Sequence, residues 1–334
     1  MQDGVQSHQA DAWDRFLQAS RPDIGFKQSS WWAEFLAADG WGHFGVILKE
    51  AGVILGGARV LTYSFEPRTR FYYVPDGPVL PEGEADAEPV LQAVFEYVER
   101  KRREDPLVVS HLQLEPRWEK RPALTRGWRE ARTWFEPRST LCVDLNLSEP
   151  ALLAQMKPKG RYNIGVARRQ GVTVVEDASV RGVDDFLAIY TETFARHGLD
   201  PKSSRHFHDL GGLLFGSDRG SLLFAEYRGA RLATAWMVYF GNRATYLYGG
   251  SRLQHRNVMA PYLLHFESMR RAKARGHEWY DFYGIAPENE PDHRWAKFSA
   301  FKRKFGGQEL RFVPSLDYIY DVDAYEAYRR WRRS

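Results

Sequence analysis

The stretch Trp295-Ala-Lys-Phe-Ser-Ala-Phe-Lys-Arg-Lys-Phe305-Gly-Gly307 sets cations among aromatic rings at helical spacing. On a helical wheel Trp295, Phe298, Phe301 and Phe305 share one face, and Lys302 falls between Phe298 and Trp295, inside that apolar stripe. An ammonium desolvated among rings loses part of its preference for the charged form unless an anion stands near it. Such a group suits the stabilisation of negative charge that develops during a reaction. The plainer outcome is a lysine whose stem lies on apolar surface while its head reaches water. Lys297, Arg303 and Lys304 lie off the stripe and are expected to be solvated. A second concentration of charge holds Lys157, Lys159, Arg161, Arg168 and Arg169 with no acid among them. It suits contact with the phosphates of a nucleic acid or with a pyrophosphate. It equally suits the water-facing side of an amphipathic helix.

Other chemistries find no support. His206-Phe-His208 alternates as a strand or loop would and has no third ligand at a telling distance, so no metal site is expected. Gly250-Ser251 is followed by Arg-Leu-Gln, which excludes a Gly-x-Ser-x-Gly nucleophile elbow, and no Gly-x-x-x-x-Gly-Lys phosphate loop occurs. The single cysteine, Cys142, lies in an apolar run and reads as core. One cysteine allows no internal disulfide and fits a reducing compartment. Residues 1–8 show no basic region followed by an apolar stretch, and no run approaches the ~18 apolar residues of a membrane helix. A cytoplasmic location is therefore expected, compatible with peripheral contact at the membrane face.

The elements that would position these groups occur twice, about 175 residues apart, a spacing that suits a duplicated domain. Residues 44–52, 53–61 and 70–74 alternate as three strands joined by turns, and so do residues 221–229, 230–240 and 244–248. Helical periodicity follows each set, over 88–103 and 260–275, and then another strand, over 107–114 and 278–283. Helices over 29–38 and 183–197 precede each sheet. Ser148 with Ala151 marks a further helix start. Strand–strand–strand–helix–strand, used twice, is the order found in acetyl-transferring acyltransferases. The expected fold is α/β, with two tandem acetyltransferase-like (GNAT-like) domains, 1–145 plus 316–334 and 146–315, packed against each other because no low-complexity linker parts them. Enzymes of that superfamily hold the pyrophosphate of coenzyme A on a glycine-rich turn at a helix N-terminus. The corresponding turns here, Gln254-His-Arg-Asn-Val-Met-Ala-Pro261 and Glu82-Gly-Glu-Ala-Asp-Ala87, contain no Gly-x-Gly, so no cofactor is expected.

Taken together, several segments resemble the Fem family, the FemX-type aminoacyltransferases of peptidoglycan cross-bridges. They are Gln28-Ser-Ser-Trp-Trp32, Tyr73-Val-Pro-Asp-Gly-Pro-Val79, Met156-Lys-Pro-Lys-Gly-Arg-Tyr-Asn-Ile164 and Ala167-Arg-Arg-Gln-Gly-Val172. The series continues with Tyr190 through His197-Gly198, Tyr248-Gly-Gly-Ser251, Ala260-Pro261, Tyr280-Asp-Phe-Tyr-Gly-Ile285, Phe301-Lys302 and Phe305-Gly-Gly307. The resemblance implies aminoacyl-tRNA as donor and a muramyl-pentapeptide, UDP-linked or lipid-linked, as acceptor. It implies that the receiving group is the side-chain amine of the third peptide residue or an amino acid already added there. Phe301-Lys302 matches the family's catalytic pair. Glu115 occupies a carboxylate position near the acceptor amine, where an ordinary capping carboxylate is equally plausible. Lys202 and His206 fall where the family contacts acceptor phosphates; Trp41, Tyr248 and Ser251 complete the candidate substrate contacts. Val258-Met259 stand where tyrosines can precede Ala260-Pro261, and Gly165 replaces a usual basic residue.

The implied reaction is attack of an amine on an aminoacyl ester, which is already activated. It needs a proton taken from the amine and a stabilised tetrahedral oxyanion. Lys302 would supply charge to that oxyanion or to the departing ribose oxygen. Two rivals are an acyltransferase of related fold with another donor, such as acyl-CoA, and a non-catalytic RNA-binding protein. Binding of charged tRNA and transfer of labelled amino acid to a muramyl-peptide separate the three.

Overall fold

The computed structural model describes residues 10–21 and 24–332; the N-terminal residues bearing on a leader lie outside them. The described residues form two compact units, one within Met1–Arg138 and Arg311–Ser334, the other Ser139–Leu310. In the first, α1 (Ala10–Ser20) and α2 (Ser30–Ala37) precede β1 (Gly42–Glu50), β2 (Val53–Glu66) and β3 (Thr69–Pro75). Then come α3 (Glu84–Glu104), β4 (Val108–Glu115) and the short β5 (Arg129–Glu130). The second unit opens with β6 (Ser139–Asp144), α4 (Glu149–Gln155), α5 (Pro158–Gln170), β7 (Thr173–Glu176), α6 (Val180–Arg196) and α7 (Ser204–Phe215). It continues with β8 (Gly220–Tyr227), β9 (Ala230–Phe240), β10 (Arg243–Ser251), α8 (Ala260–Ala274), β11 (Trp279–Gly284), α9 (Ala296–Lys302) and β12 (Gln308–Arg311). The chain then returns to the first unit as β13 (Leu316–Ile319) and α10 (Val322–Trp331).

The sheet orders are β1-β2-β3-β4-β13-β5 and β12-β6-β11-β10-β9-β8-β7. In each, three antiparallel strands feed a helix that crosses to a parallel fourth. An antiparallel strand then covers the fourth: β13 against β4, and β6 against β11. The units therefore divide at Ser139 and Arg311, not at 146 and 316 as expected from the sequence. Hydrogen bonding explains the difference. Strand β6 pairs Cys142 with Asp281 and Thr140 with Gly284, which binds it to the second sheet. Phe312, Val313 and Ser315 bond instead to Arg138, Trp118 and Ala131 of the first unit.

A second difference concerns residues 204–215, where His206-Phe-His208 looked like strand or loop. The segment is helix α7. Ser203 caps it by accepting from the His206 amide, and Phe207, Leu210, Gly211 and Leu214 bury one face at helical spacing. Ser148 likewise caps α4 by accepting from the Ala151 amide.

The parallel pairs differ between the units. β3 and β4 stay paired, across one register shift between Arg70 and Tyr72, up to Pro75 opposite Glu115. β10 and β11 pair only from Arg243–Trp279 to Thr245–Asp281, after which β10 continues along β9 and β11 along β6. The second sheet thus opens into a V beyond Thr245. A bulge on β10 at Leu247, between Tyr246 opposite Met237 and Tyr248 opposite Trp236, sends the two tyrosines to opposite faces. Tyr246 joins the core under α8, while Tyr248 packs on Phe207 and Tyr190 of α7 and α6.

After α9 the chain must turn back against β6, and Gly306-Gly307 makes this possible. Both take positive φ, 76° and 86°, and a Cβ on Gly307 would collide with the Cys142 carbonyl oxygen. Gly307→Ala is expected to lower the melting temperature by roughly 1.5–4 °C, from about 1–3 kcal/mol of backbone strain in a chain of this size. A melt within one degree of the unsubstituted protein would contradict this account.

Candidate active site

Lys302 ends α9, and the helix is pinned where it leaves β11. The Ser299 hydroxyl donates to the Trp295 carbonyl at 2.8 Å and accepts from the Ala286 amide at 2.7 Å. Beyond Lys302 the helix tightens into a 3₁₀ turn over Arg303–Phe305. That turn drives Phe305 into full burial against Phe282 and His265. Phe301 packs on Tyr262 and His265, with ring centroids 5.1 and 5.5 Å away, and forms a wall of the site. The Lys302 side chain turns into the open V. Its Nζ donates to the Gly284 carbonyl at 2.6 Å and lies 5.9 Å from the centre of the Tyr246 ring. Burial pulls the Lys302 ammonium down to about 8, against the nearby charge of Asp281, which opposes the shift. His265, whose Nδ1 bonds the Tyr280 hydroxyl at 2.9 Å, is held neutral by burial and by Lys302, its pKa lowered to about 3.

The segment Tyr280-Asp-Phe-Tyr-Gly-Ile285 shapes the other side. Asp281 is fully buried and pairs with the Arg243 guanidinium at 3.2 Å. It also accepts from the Thr140 hydroxyl and, at 2.8 Å, from the Tyr283 amide. This last bond holds Tyr283 at φ 60°, a left-handed conformation strained for a bulky aromatic residue. The kink aims the next carbonyl, that of Gly284, at Lys302.

On the opposite face of β10 the candidate acceptor contacts gather. Buried His206 lies with Nε2 3.3 Å from the Tyr248 hydroxyl. Ser251 is anchored through its backbone, its amide donating to Thr193 Oγ1 at 2.9 Å and its carbonyl accepting from Arg196 at 2.9 Å. Lys202 is exposed just before α7. His208 turns away to Asp184, at 3.2 Å. Among the described residues no group of three His, Cys, Asp or Glu could hold a metal.

The turn before α8 is a poor seat for the pyrophosphate of coenzyme A. His255 and Met259 take the left-handed conformations that glycines otherwise supply, and Pro261 removes an amide donor from the first helical turn.

Glu115 and Trp41 belong to the first unit. Glu115 accepts from the Tyr73 hydroxyl, the Gln113 amide and the backbone amides of Phe135 and Glu136, at 2.7–3.1 Å. Burial, with the charge of Glu136 second, pushes its carboxyl up to about 8. It faces a small pocket that Asp76, Arg117, Arg138 and Phe312 also line. Trp41 is half-buried among Tyr63, Phe71, Tyr73 and Phe135.

Comparison with known proteins gives this geometry its setting. The sequence matches the FemAB family over residues 127–227 and 217–332. The chain belongs to the FemAB family. This FemAB chain is 23% identical over 327 residues to the UDP-N-acetylmuramoylpentapeptide-lysine N(6)-alanyltransferase of Weissella viridescens, covering 94% of this chain and 95% of that one. It is 20% identical over 387 residues to a lipid II:glycine glycyltransferase of Staphylococcus epidermidis, with 93% and 92% covered. A crystal structure of FemX matches with a TM-score of 0.84 at 17% identity, covering 96% of this chain and 99% of that one. A tandem GNAT protein from the clavulanic acid biosynthesis pathway matches at 0.53 and 10% identity, over 94% and 97%. The fold is thus a pair of GNAT-like units in one chain.

Within this FemAB chain the basic stretch splits in two. Arg161 caps the end of α4 by donating to the carbonyls of Ala154 and Met156. Arg168 pairs with Glu149 and Glu267 and lies over the Phe266 ring. Both serve the fold. Lys157, Lys159 and Arg169 are exposed and form no ion pair among the described residues, and Tyr162 stands between them at 66% exposure.

Four site residues escaped the sequence reading: Tyr246, His265, Asp281 and Arg243. Asp281 lay inside a quoted motif, flanked by aromatics in an apolar strand, and a buried acid there was a usable signal. Tyr246 gave none, because strand alternation puts it on the same face as Tyr248 and only the bulge separates them.

Proposed function

We propose that this FemAB chain transfers an aminoacyl group from transfer RNA to the side-chain amine of the lysine in a muramyl-pentapeptide precursor, or to an amino acid already attached there, forming a peptidoglycan cross-bridge. The observation that carries the reading is the Lys302 ammonium held on the Gly284 carbonyl at the open end of the second sheet. The acceptor amine, freed of its proton, attacks the ester carbonyl carbon. The carbonyl oxygen takes the negative charge and Lys302 stabilises it. As the intermediate collapses, the bond to the ribose oxygen breaks, that oxygen takes a proton, and an amide remains. Protein dipoles and charges fixed before the reaction favour this step. No step needs a metal or a covalent enzyme intermediate. Exposed Lys157, Lys159 and Arg169 on α5 offer phosphate contacts for the donor, and the side of β10 that carries His206 and Tyr248 offers contacts for the acceptor. A cytoplasmic site of action follows from the donor, and a lipid-linked acceptor would bring the protein to the membrane face. Among the described residues no helix is long and apolar enough to cross a membrane.

The test offers the purified protein tRNA charged with labelled amino acids, and either the UDP-linked pentapeptide or lipid II. The expected product is the acceptor heavier by one aminoacyl residue, with loss of label from tRNA. Transfer from acyl-CoA in place of tRNA, or tRNA binding without transfer, would each overturn the proposal. The α5 contacts carry a separate expectation. Substituting Lys157, Lys159 and Arg169 together by Ala should raise KM for charged tRNA and flatten its dependence on salt. The slope of log KM against log salt should fall by about 2, since each phosphate contact contributes about 0.7–0.9. Arg161→Ala should instead lower thermal stability and leave that slope unchanged.

A further inference from the structure

The Tyr246 ring is held firmly while its hydroxyl is not used. The ring meets His265 edge-on with centroids 4.6 Å apart and lies beneath the Lys302 ammonium. The hydroxyl makes no hydrogen bond among the described residues. The other tyrosines that pack nearby on this sheet do employ theirs: Tyr280 bonds His265, Tyr239 bonds Ser221 and Tyr248 bonds His206. Tyr246 extends along its own strand over Gly249, where a Cβ would collide with the hydroxyl oxygen. Regular alternation from Ala244 keeps this side chain on the face where Lys302 stands, the bulge at Leu247 sends Tyr248 to the other face, and the parting of β10 from β11 begins one residue before Tyr246. A polar group that fold and packing deliver to a reaction site, with no partner in the protein, is free to meet one in the substrate.

We propose that Tyr246 is a second catalytic donor: its hydroxyl hydrogen-bonds the oxygen of the reacting ester carbonyl as that oxygen becomes negative, alongside the Lys302 ammonium. The proton stays on the phenol throughout, so the step adds a hydrogen bond and moves no atom between enzyme and substrate. Burial raises the phenol's pKa above its ordinary value, so it remains a donor across the working pH range. A side chain at position 249 would displace the donor, besides meeting the Thr234 backbone carbonyl.

The inference rests on the aminoacyl-transfer reading, and one assay tests both. Transfer from charged tRNA to a muramyl-pentapeptide is followed with the unsubstituted protein and with Tyr246→Phe, which keeps the ring and removes only the oxygen. The expected loss is ~10²-fold in kcat, the scale of removing one preorganised donor. KM for both substrates should stay within about twofold and the melting temperature should not fall, because no protein hydrogen bond is lost. Turnover of Tyr246→Phe within threefold of the unsubstituted protein overturns the inference alone. A melting temperature lower by several degrees overturns it too, since the hydroxyl would then have a structural partner. An unsubstituted protein that transfers nothing to the acceptor removes the aminoacyl-transfer reading and this inference with it.

Discussion

Replacing Lys302 by Met is expected to lower kcat for aminoacyl transfer by ~10²–10³-fold, the range found on removing one preorganised donor to an oxyanion. Methionine matches the length of the lysine stem and packs readily against rings, so the wall formed by Phe301, Tyr246 and His265 should survive. Among the described residues, the hydrogen bond lost is the one to the Gly284 carbonyl, and the charge that faces Asp281 and His265 goes with it. KM for charged tRNA should change little, because the ammonium acts on charge that exists only at the transition state. Near-normal turnover in a folded Lys302→Met protein would remove Lys302 from the mechanism.

The pH dependence tests the role more sharply. An acceptor amine has an unperturbed pKa of about 10.4 and reacts only when free of its proton, so the rate should rise tenfold per pH unit. Lys302 acts as a cation with a pKa lowered to about 8. The rise should therefore flatten above about pH 8, as the gain in free amine is cancelled by the loss of ammonium. A neutral Lys302 acting as general base on a protonated amine gives the same curve. Lys302→Arg separates them. A guanidinium stays protonated throughout and cannot serve as base. If Lys302 supplies charge, the arginine protein retains part of the activity and its rate keeps rising beyond pH 8. If Lys302 is a base, the arginine protein is as inactive as the methionine one, and the assignment is wrong.

How much of this was legible in the residues differs from place to place. Alternation and helical periodicity were sufficient for the paired meanders, because each strand buries one face and each crossing helix one stripe. Periodicity also found Lys302, although for a reason only half right. Phe301 and Phe305 are packed inward, but Phe298 rests half-buried on His197 and Trp295 beside His293. The wheel fails at its start, because α9 begins only at Ala296 and Trp295 is its non-helical N-cap, so the stripe is not one continuous helix face. Strand ownership was not legible at all. β6 has the same pattern whichever sheet it joins, and its place is decided by hydrogen bonds to β11, more than a hundred residues away. The same holds for the bulge at Leu247 and the left-handed turn at Tyr283. Both are backbone irregularities imposed by distant partners, and both aim the groups that define the site.

Asp281→Asn is expected to have the second large effect, through two separable routes. Asparagine can still accept from the Tyr283 amide, but its own amide group would face the Arg243 guanidinium, donor against donor. Breaking one side of a buried ion pair typically destabilises by about 3–5 kcal/mol, which should appear as a clear drop in melting temperature. The catalytic effect is electrostatic. Asp281 raises the pKa of Lys302 against burial, so its loss should move that pKa below about 8. The flattening of the pH profile would then begin at lower pH, leaving a lower plateau, while the acid limbs of the two profiles converge. A purely structural defect would instead displace the whole curve downward by a constant factor, and parallel profiles would refute the electrostatic role. Combining the substitution with Lys302→Arg isolates the two routes. An arginine keeps its proton with or without Asp281, so in that background Asp281→Asn should still lower the melting temperature while leaving the shape of the pH profile unchanged.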